Sequence, residues 1–191
     1  MEIDKVGVVG CGLMGSGIVE VAAKSGSRVM VRETSPELLG LGRLRIEQSM
    51  ARAVEKEKLT VQEQDAALAR ISYTTELADL ARSDLIIEAI VEDPEAKSSL
   101  FRDLDKLCSG RTIFASNTSS IPITEMAAAT ARADRFIGLH FFNPVPVMRL
   151  VEVVRTIATT DETFELVSDF VQMIGKVPIT AKDNSGFVVN L

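Results

Sequence analysis

The sequence lacks any apolar run of the roughly 20 residues that a helix needs to cross a lipid bilayer. It also lacks the basic segment, long apolar core and cleavage site of a secretory signal, because the acidic start MEIDKVGVVG leads directly into a strand-like stretch. These absences argue against a membrane-spanning or secreted protein. We therefore expect a cytoplasmic location and no association with membranes.

Cysteine and basic residues are also scarce. Cys11 and Cys108 are the two cysteines, and their separation matches neither a redox pair nor a zinc site. We therefore expect reduced, structural thiols and no bound metal. The 21 Lys and Arg residues are outnumbered by 27 Asp and Glu, which gives a formal net charge of −6. This charge argues against broad binding to nucleic acid.

The chain of 191 residues is 46% hydrophobic and 25% charged, which is typical of a globular domain. Short β-rich runs alternate with helical segments, and the first few runs are continuously apolar, as strands buried on both faces of a parallel sheet are. The pattern predicts an α/β fold with a Rossmann-like, doubly wound, mostly parallel sheet. The predicted strands are 5–10, 27–33, 84–90, 111–117, 134–142, 149–155 and 176–182, and the predicted helices are 14–26, 35–58 and 93–108.

A glycine-rich turn follows the first strand. Gly10, Gly12 and Gly15 have the G-x-G-x-x-G spacing and open a helix, whose free N–H groups can bind a pyrophosphate. Glu33 ends the second strand, where a carboxylate can bind an adenosine ribose, so NAD is favoured over NADP. Arg32 leaves the NADP alternative open, because an arginine there can serve a 2′-phosphate. The other alternative is a turn used only for packing.

Three later motifs follow the glycine turn: ASNTSS (115–120), GLHFFNPVPVM (138–148) and LVEVV (150–154). In this order the chain resembles the short-chain L-3-hydroxyacyl-CoA dehydrogenases, which include the 3-hydroxybutyryl-CoA dehydrogenases. The likeness covers essentially the whole chain, and HFFNPVPVM is its most specific run.

The resemblance implies a domain organisation. Residues 1–184 would form an NAD-binding domain with a helical arm at about 36–70. Residues 185–191, an apolar stretch typical of a helix start, would begin the connection to a C-terminal helical dimerisation domain that this chain lacks. We therefore expect the chain to be a fragment of a longer protein that forms a homodimer.

The chemistry of the family requires a base beside the substrate hydroxyl while a hydride leaves the same carbon. His140, the single histidine, lies at the end of a predicted strand and suits that role. The alternative is a buried histidine that fills space. Glu152 on the next strand matches the glutamate that orients the histidine in the family. Its alternative is an outward-facing strand residue.

The resemblance assigns further positions. Ser119 matches a serine that contacts the substrate oxygen, although its polar neighbours leave the choice of hydroxyl open. Asn190 matches an asparagine that contacts the substrate, and Asn143 one near the nicotinamide. Glu92 and Lys97 match positions near the cofactor, with solvated charges as the alternative. The implied cofactor-binding residues are Gly10, Gly12, Leu13, Met14, Gly15, Glu33, Glu92, Lys97, Ser119 and Asn143.

One face of the long second helix is basic. Arg45, Ser49, Arg52 and Lys56 are separated by three or four residues and share that face. The face can bind the phosphates of coenzyme A, and Ser49 and Lys56, like Ser119, match substrate-contacting positions of the family. The alternative is an ordinary solvated face, because glutamates lie nearby.

Together these features predict an NAD-dependent enzyme that interconverts a short-chain L-3-hydroxyacyl-CoA and a 3-oxoacyl-CoA, as in β-oxidation or butanoate metabolism. His140 would be the general base and Glu152 its orienting partner. Two alternatives stay open. One is a dinucleotide-binding fragment with little activity of its own, and the other is a sister dehydrogenase that acts on another hydroxy acid.

Overall fold

The computed structural model describes residues 2–183, which form one sheet with helices on its faces. The strands are β1 (Lys5–Val9), β2 (Arg28–Arg32), β3 (Ile71–Thr74), β4 (Leu85–Glu88), β5 (Ile113–Ser116), β6 (Phe136–Phe141), β7 (Leu150–Arg155) and β8 (Val177–Lys182). The α-helices are α1 (Leu13–Lys24), α2 (Pro36–Glu55), α3 (Val61–Leu68), α4 (Pro94–Leu107), α5 (Ile123–Ala127) and α6 (Asp161–Met173), and 3-10 turns cover Leu77–Arg82 and Ala133–Arg135.

The strand order is β3-β2-β1-β4-β5-β6-β7-β8. All neighbouring pairs are parallel except β6 and β7, which are antiparallel. The direction of winding reverses between β1 and β4, and such a switch point forms a crevice at the carboxyl ends of the strands. The predicted fold class, a Rossmann-like doubly wound and mostly parallel sheet, is confirmed.

The central strands are buried because their sequences are apolar on both faces. Every residue of β4 and β5 is buried, and so are four of the five residues of β1. Burial of each large aliphatic side chain contributes about 1.5–3 kcal/mol. This rigid sheet holds the strand ends, where the candidate site lies.

Two helices begin as their capping residues predict. The Ser35 side chain accepts a hydrogen bond from the Leu38 N–H at the start of α2, and Asp93 accepts one from Ala96 at the start of α4. In both helices a proline occupies the first turn, where its missing N–H costs nothing. Asp93 thereby fixes the helix that carries Lys97.

Three strands and α-helices of the structure have no predicted counterpart: β3, α5 and α6. Strand β3 has a single buried residue among its four, so its apolar pattern is weak. Helix α3 lies within the helical arm predicted at about 36–70, and a capping box between Thr60 and Glu63 marks its start. None of the described helices is long and apolar enough to span a membrane.

Candidate active site

Steric contacts explain why glycine occupies two positions of the turn between β1 and α1. Gly10 has φ of +91°, and a Cβ there would lie 2.6 Å from the Ala89 carbonyl oxygen. A Cβ at Gly15 would lie 1.9 Å from the carbonyl oxygen of Gly10. A Cβ at Gly12 would meet no atom within 4 Å, so this part of the backbone faces open space. The turn therefore offers an open backbone beside the start of a helix.

A cavity of about 630 Å³ lies against this turn and is bordered by Gly12, Glu33 and Ile90. The Glu33 carboxylate accepts a hydrogen bond of 2.6 Å from the Cys11 N–H, which holds it at the cavity wall. Arg32 also borders the cavity, and its Nε donates to the Thr75 carbonyl oxygen. A backbone that is open at Gly12, a carboxylate held at the cavity wall and a cavity of this volume together fit a dinucleotide.

His140 and Glu152 form a buried pair. They face each other directly in the antiparallel register of β6 and β7, and His140 Nδ1 lies 2.6 Å from Glu152 Oε2. The side chains are 9% and 0% exposed, so the alternative of an outward-facing glutamate does not describe this structure. A carboxylate in contact with Nδ1 fixes the orientation of the imidazole ring.

A second cavity, of about 360 Å³, brings the predicted residues of the nicotinamide end together. Met14, at the start of α1, connects this cavity with the glycine turn. The predicted residues that border it are Met14, Glu92, Lys97, Ser119, His140 and Asn143.

The hydroxyl groups of the loop after β5 differ in their exposure and in their contacts. Ser119 is exposed and borders the second cavity. Thr118 is buried, and its Oγ1 accepts hydrogen bonds from the N–H groups of Ser120 and Ile121. Asn117 accepts a hydrogen bond from the Phe141 N–H, which ties the loop to the strand of His140. Among these polar residues, the geometry favours Ser119 as the hydroxyl that meets a ligand.

Glu92 and Lys97 form an ion pair beside this loop. Lys97 is 1% exposed, and its Nζ is 3.1 Å from Glu92 Oε2, so Lys97 is not a solvated charge. Glu92 accepts hydrogen bonds from Thr118 and from the Ser119 N–H, the latter at 2.9 Å. Burial raises the pKa of the Glu92 carboxyl, but the Thr118 hydrogen bond and the charge of Lys97 outweigh burial, so the pKa lies below its ordinary value.

Three residues of the basic helix face, Arg45, Ser49 and Arg52, border a smaller cleft of about 190 Å³. Its opposite wall is the loop of residues 143–146, so Asn143 borders both this cleft and the second cavity. Lys56 is exposed at the C-terminal end of α2 and does not border the cleft.

Asn190 lies outside the described residues. Within residues 2–183 no group of three or more His, Cys, Asp or Glu side chains could hold a metal ion.

Comparison with known proteins identifies the family. Residues 5–184 match the family model described as 3-hydroxyacyl-CoA dehydrogenase, NAD binding domain. The chain belongs to the 3-hydroxyacyl-CoA dehydrogenase family.

The chain is 48% identical over 190 residues to a 3-hydroxybutyryl-CoA dehydrogenase of Mycobacterium tuberculosis, covering 98% of this chain and 66% of that relative. It is 45% identical to the human mitochondrial hydroxyacyl-coenzyme A dehydrogenase, covering 98% of this chain and 62% of that protein. The crystal structure of (S)-3-hydroxybutyryl-CoA dehydrogenase from Ralstonia eutropha superposes with a TM-score of 0.96 at 45% identity, covering 98% of this chain and 66% of that one. The chain thus spans slightly less than two thirds of these relatives.

Two residues of this 3-hydroxyacyl-CoA dehydrogenase domain were not identified from the sequence. Glu88 is fully buried at the end of β4, with its Oε1 2.5 Å from Lys97 Nζ. Lys176 is buried and donates hydrogen bonds to the carbonyl oxygens of Val145 and Met148, at 2.5 and 2.8 Å. A carboxylate inside an apolar strand such as LIIE is the signal for Glu88, because it requires a buried partner. For Lys176 the sequence offers no comparable signal.

Proposed function

We propose that this chain provides the cofactor site and the proton-transfer site of an NAD-dependent dehydrogenase. The enzyme oxidises a short-chain L-3-hydroxyacyl-CoA to the 3-oxoacyl-CoA and catalyses the reverse reaction. The observation that carries this proposal is the buried pair of His140 and Glu152 on the cavity that also includes Met14 at the start of the cofactor-binding helix.

The residues that would hold NAD border the two cavities, except Gly15 and Leu13, and Leu13 borders the cleft along α2 instead. The backbone at Gly12 and the start of α1 would bind the pyrophosphate, and Glu33 would accept hydrogen bonds from the adenosine ribose. Leu13, Glu92, Lys97 and Asn143 would complete the site near the nicotinamide. When bound, NAD supplies the acceptor for the hydride that leaves the substrate carbon.

His140 removes the proton of the substrate hydroxyl through Nε2 and returns it in the reverse direction. Glu152 accepts the Nδ1–H, which fixes the ring orientation and stabilises the imidazolium as it forms. Ser119 binds the substrate oxygen, and we assign Asn190 the same task on the basis of the family motif. The reacting oxygen is thereby held beside the base before the proton moves.

The coenzyme A portion of the substrate would lie along α2. Arg45 and Arg52 supply positive charge to an otherwise acidic chain, and Ser49 lies between them on the same cleft. Lys56, one turn further along, would contact the distal phosphates. We therefore expect that an acyl chain without coenzyme A binds much more weakly.

The test combines NADH titration with an acetoacetyl-CoA reduction assay on the chain and on its His140→Ala variant. We expect binding of NADH by both, and loss of nearly all turnover in the variant. Near-wild-type turnover in His140→Ala would contradict the assigned base. NADH binding without turnover in the unmodified chain would indicate a dinucleotide-binding module instead. Equal activity on a 3-hydroxy acid that carries no coenzyme A would indicate a sister dehydrogenase.

We further propose a cytoplasmic location and a homodimer for the complete protein. Cell fractionation and the sedimentation of the complete polypeptide test these two points separately from the chemistry.

A further inference from the structure

Glu88 is a buried carboxylate to which the proposed mechanism assigns no role. It ends β4 with an exposed fraction of 0%, and both of its carboxylate oxygens accept hydrogen bonds. Oε1 also accepts a hydrogen bond of 2.7 Å from the Ile90 N–H, which fixes the orientation of the carboxylate. Both oxygens lead, by separate routes, to the loop that carries Ser119.

The first route runs through two charged side chains. Glu88 Oε1 lies 2.5 Å from the Lys97 ammonium, and that ammonium lies 3.1 Å from Glu92 Oε2. The other oxygen of Glu92 accepts the Ser119 N–H at 2.9 Å and contacts the Ser119 hydroxyl at 3.5 Å. Glu88 therefore contacts the Lys97 ammonium, the ammonium contacts Glu92, and Glu92 contacts Ser119. The position of each group in this chain of contacts depends on the group before it.

The second route runs through hydroxyl and backbone groups. The Ser116 hydroxyl donates to Glu88 Oε2 at 2.6 Å and accepts a hydrogen bond from the Thr118 N–H at 3.2 Å. The backbone oxygen of Glu88 accepts the Asn117 N–H at 2.9 Å. The loop is thus held from the β4 side at positions immediately before Ser119.

We propose that Glu88 is a positioning residue that sets the place of Ser119 through Lys97 and Glu92 and, separately, through Ser116. The inference rests on the proposed function of Ser119, the contact with the substrate oxygen. Glu88 does not touch substrate, and its effect on turnover passes through the loop.

A purely structural role does not account for this arrangement. A buried ion pair loses solvation on both charges, and apolar residues of similar volume are often as stable or more stable in its place. Apolar residues could not hold the Ser119 loop by directed hydrogen bonds. Glu88 differs from a residue that only fills the core because its hydrogen bonds are directed toward the Ser119 loop. The stability of its ion pair with Lys97 does not make this distinction.

The test is a double-mutant cycle between Glu88→Gln and Ser119→Ala, measured as kcat for acetoacetyl-CoA reduction. Glu88→Gln alone should reduce kcat by about 10- to 100-fold, the scale of an effect transmitted by misplacement. In the Ser119→Ala background the same substitution should change kcat by less than about twofold. Losses that multiply in the double variant would overturn the proposal. Ser116→Ala is the milder second variant and should show the same non-additivity.

A readout on the chain without substrate separates this inference from the proposed function. The Ser119 amide proton should exchange with solvent faster in Glu88→Gln than in the unmodified chain, as measured by NMR. The matched control is Asp105→Asn, which removes the charge of the 2.6 Å ion pair with Arg132 in the last turns of α4, away from the first turn that carries Lys97, and should leave both kcat and this exchange rate unchanged. An unchanged rate in Glu88→Gln would overturn the positioning role. Faster exchange together with full activity of Ser119→Ala would support positioning and contradict the assigned substrate contact.

Discussion

Substitution of Glu152 by Gln removes one charge from the buried pair and keeps the shape of the side chain. Glu152 is 0% exposed and its Oε2 lies 2.6 Å from His140 Nδ1. The amide oxygen of Gln can still accept the Nδ1–H, so the ring can keep its orientation. What is lost is the negative charge that, in the proposed mechanism, stabilises the imidazolium formed when the ring takes the substrate proton.

The size of the loss follows from the contact distance. With the 2.6 Å contact, the centres of the two charged groups are separated by about 4 Å, and their attraction at an effective dielectric constant of 20 is about 4 kcal/mol. Since about 1.4 kcal/mol corresponds to a tenfold change in rate, kcat should fall about a thousandfold. The affinity for NADH should be unchanged, because Glu152 does not border either cofactor cavity.

The assay is steady-state oxidation of 3-hydroxybutyryl-CoA, the direction in which the imidazolium forms, followed by the absorbance of the NADH produced. NADH affinity is measured from the fluorescence of NADH itself, which is simple here because the chain has no tryptophan. Circular dichroism establishes that the variant is folded. A loss smaller than about tenfold in a folded variant would refute the argument, since it would mean that the carboxylate charge contributes less than about 1.4 kcal/mol to the transition state.

Three further predictions concern stability and reactivity. Lys176→Met should lower the free energy of unfolding by about 1–3 kcal/mol in chemical denaturation, because the Val145 and Met148 carbonyl groups lose their buried donor. The pKa of Glu92 is lowered in the folded state, so its stabilising contribution is present above 4.5, the ordinary value, and is lost as the pH falls through the folded pKa. Glu92→Gln should therefore lose less stability on acidification, measured by denaturation at several pH values. Burial, with the nearby charge of Glu33, raises the pKa of the Cys11 thiol to about 12, against the opposing charge of Arg45. Cys11 should thus resist alkylation at mildly alkaline pH until the protein is denatured, as followed by mass spectrometry.

The strands that could be predicted from the sequence are those whose apolar runs match their burial in the structure. Strands β4 and β5 are short, apolar and fully buried, and their runs were predicted within three residues of the observed ends. Strand β3 failed this test because three of its four residues are not buried. Its place in the sheet is set by pairing with β2, a long-range contact that no local window contains.

The candidate site divides in a similar way. The glycine turn could be predicted because Gly10 and Gly15 answer to steric requirements and Gly12 leaves the backbone open beside the helix start. Six of the residues assigned through the resemblance border one cavity, but their roles in binding and catalysis stay predictions. The network of Glu88, Lys97 and Glu92 could not be predicted, since it depends on the distance between the end of β4 and the first turns of α4. That distance is a property of packing and not of spacing along the chain.

The pairing of His140 with Glu152 depends on the single antiparallel pair of neighbouring strands in the described sheet. Because side chains alternate between the faces of a strand, a shift of one residue between β6 and β7 would turn Glu152 to the other face. The length of the loop that connects two neighbouring antiparallel strands fixes their register, and here the loop carbonyl groups at Val145 and Met148 are held by Lys176, the residue before β8. The proline-containing run between β6 and β7 therefore helps to position the two strands, in addition to lining the clefts. We therefore expect a change in the length of this loop to separate the histidine from its carboxylate.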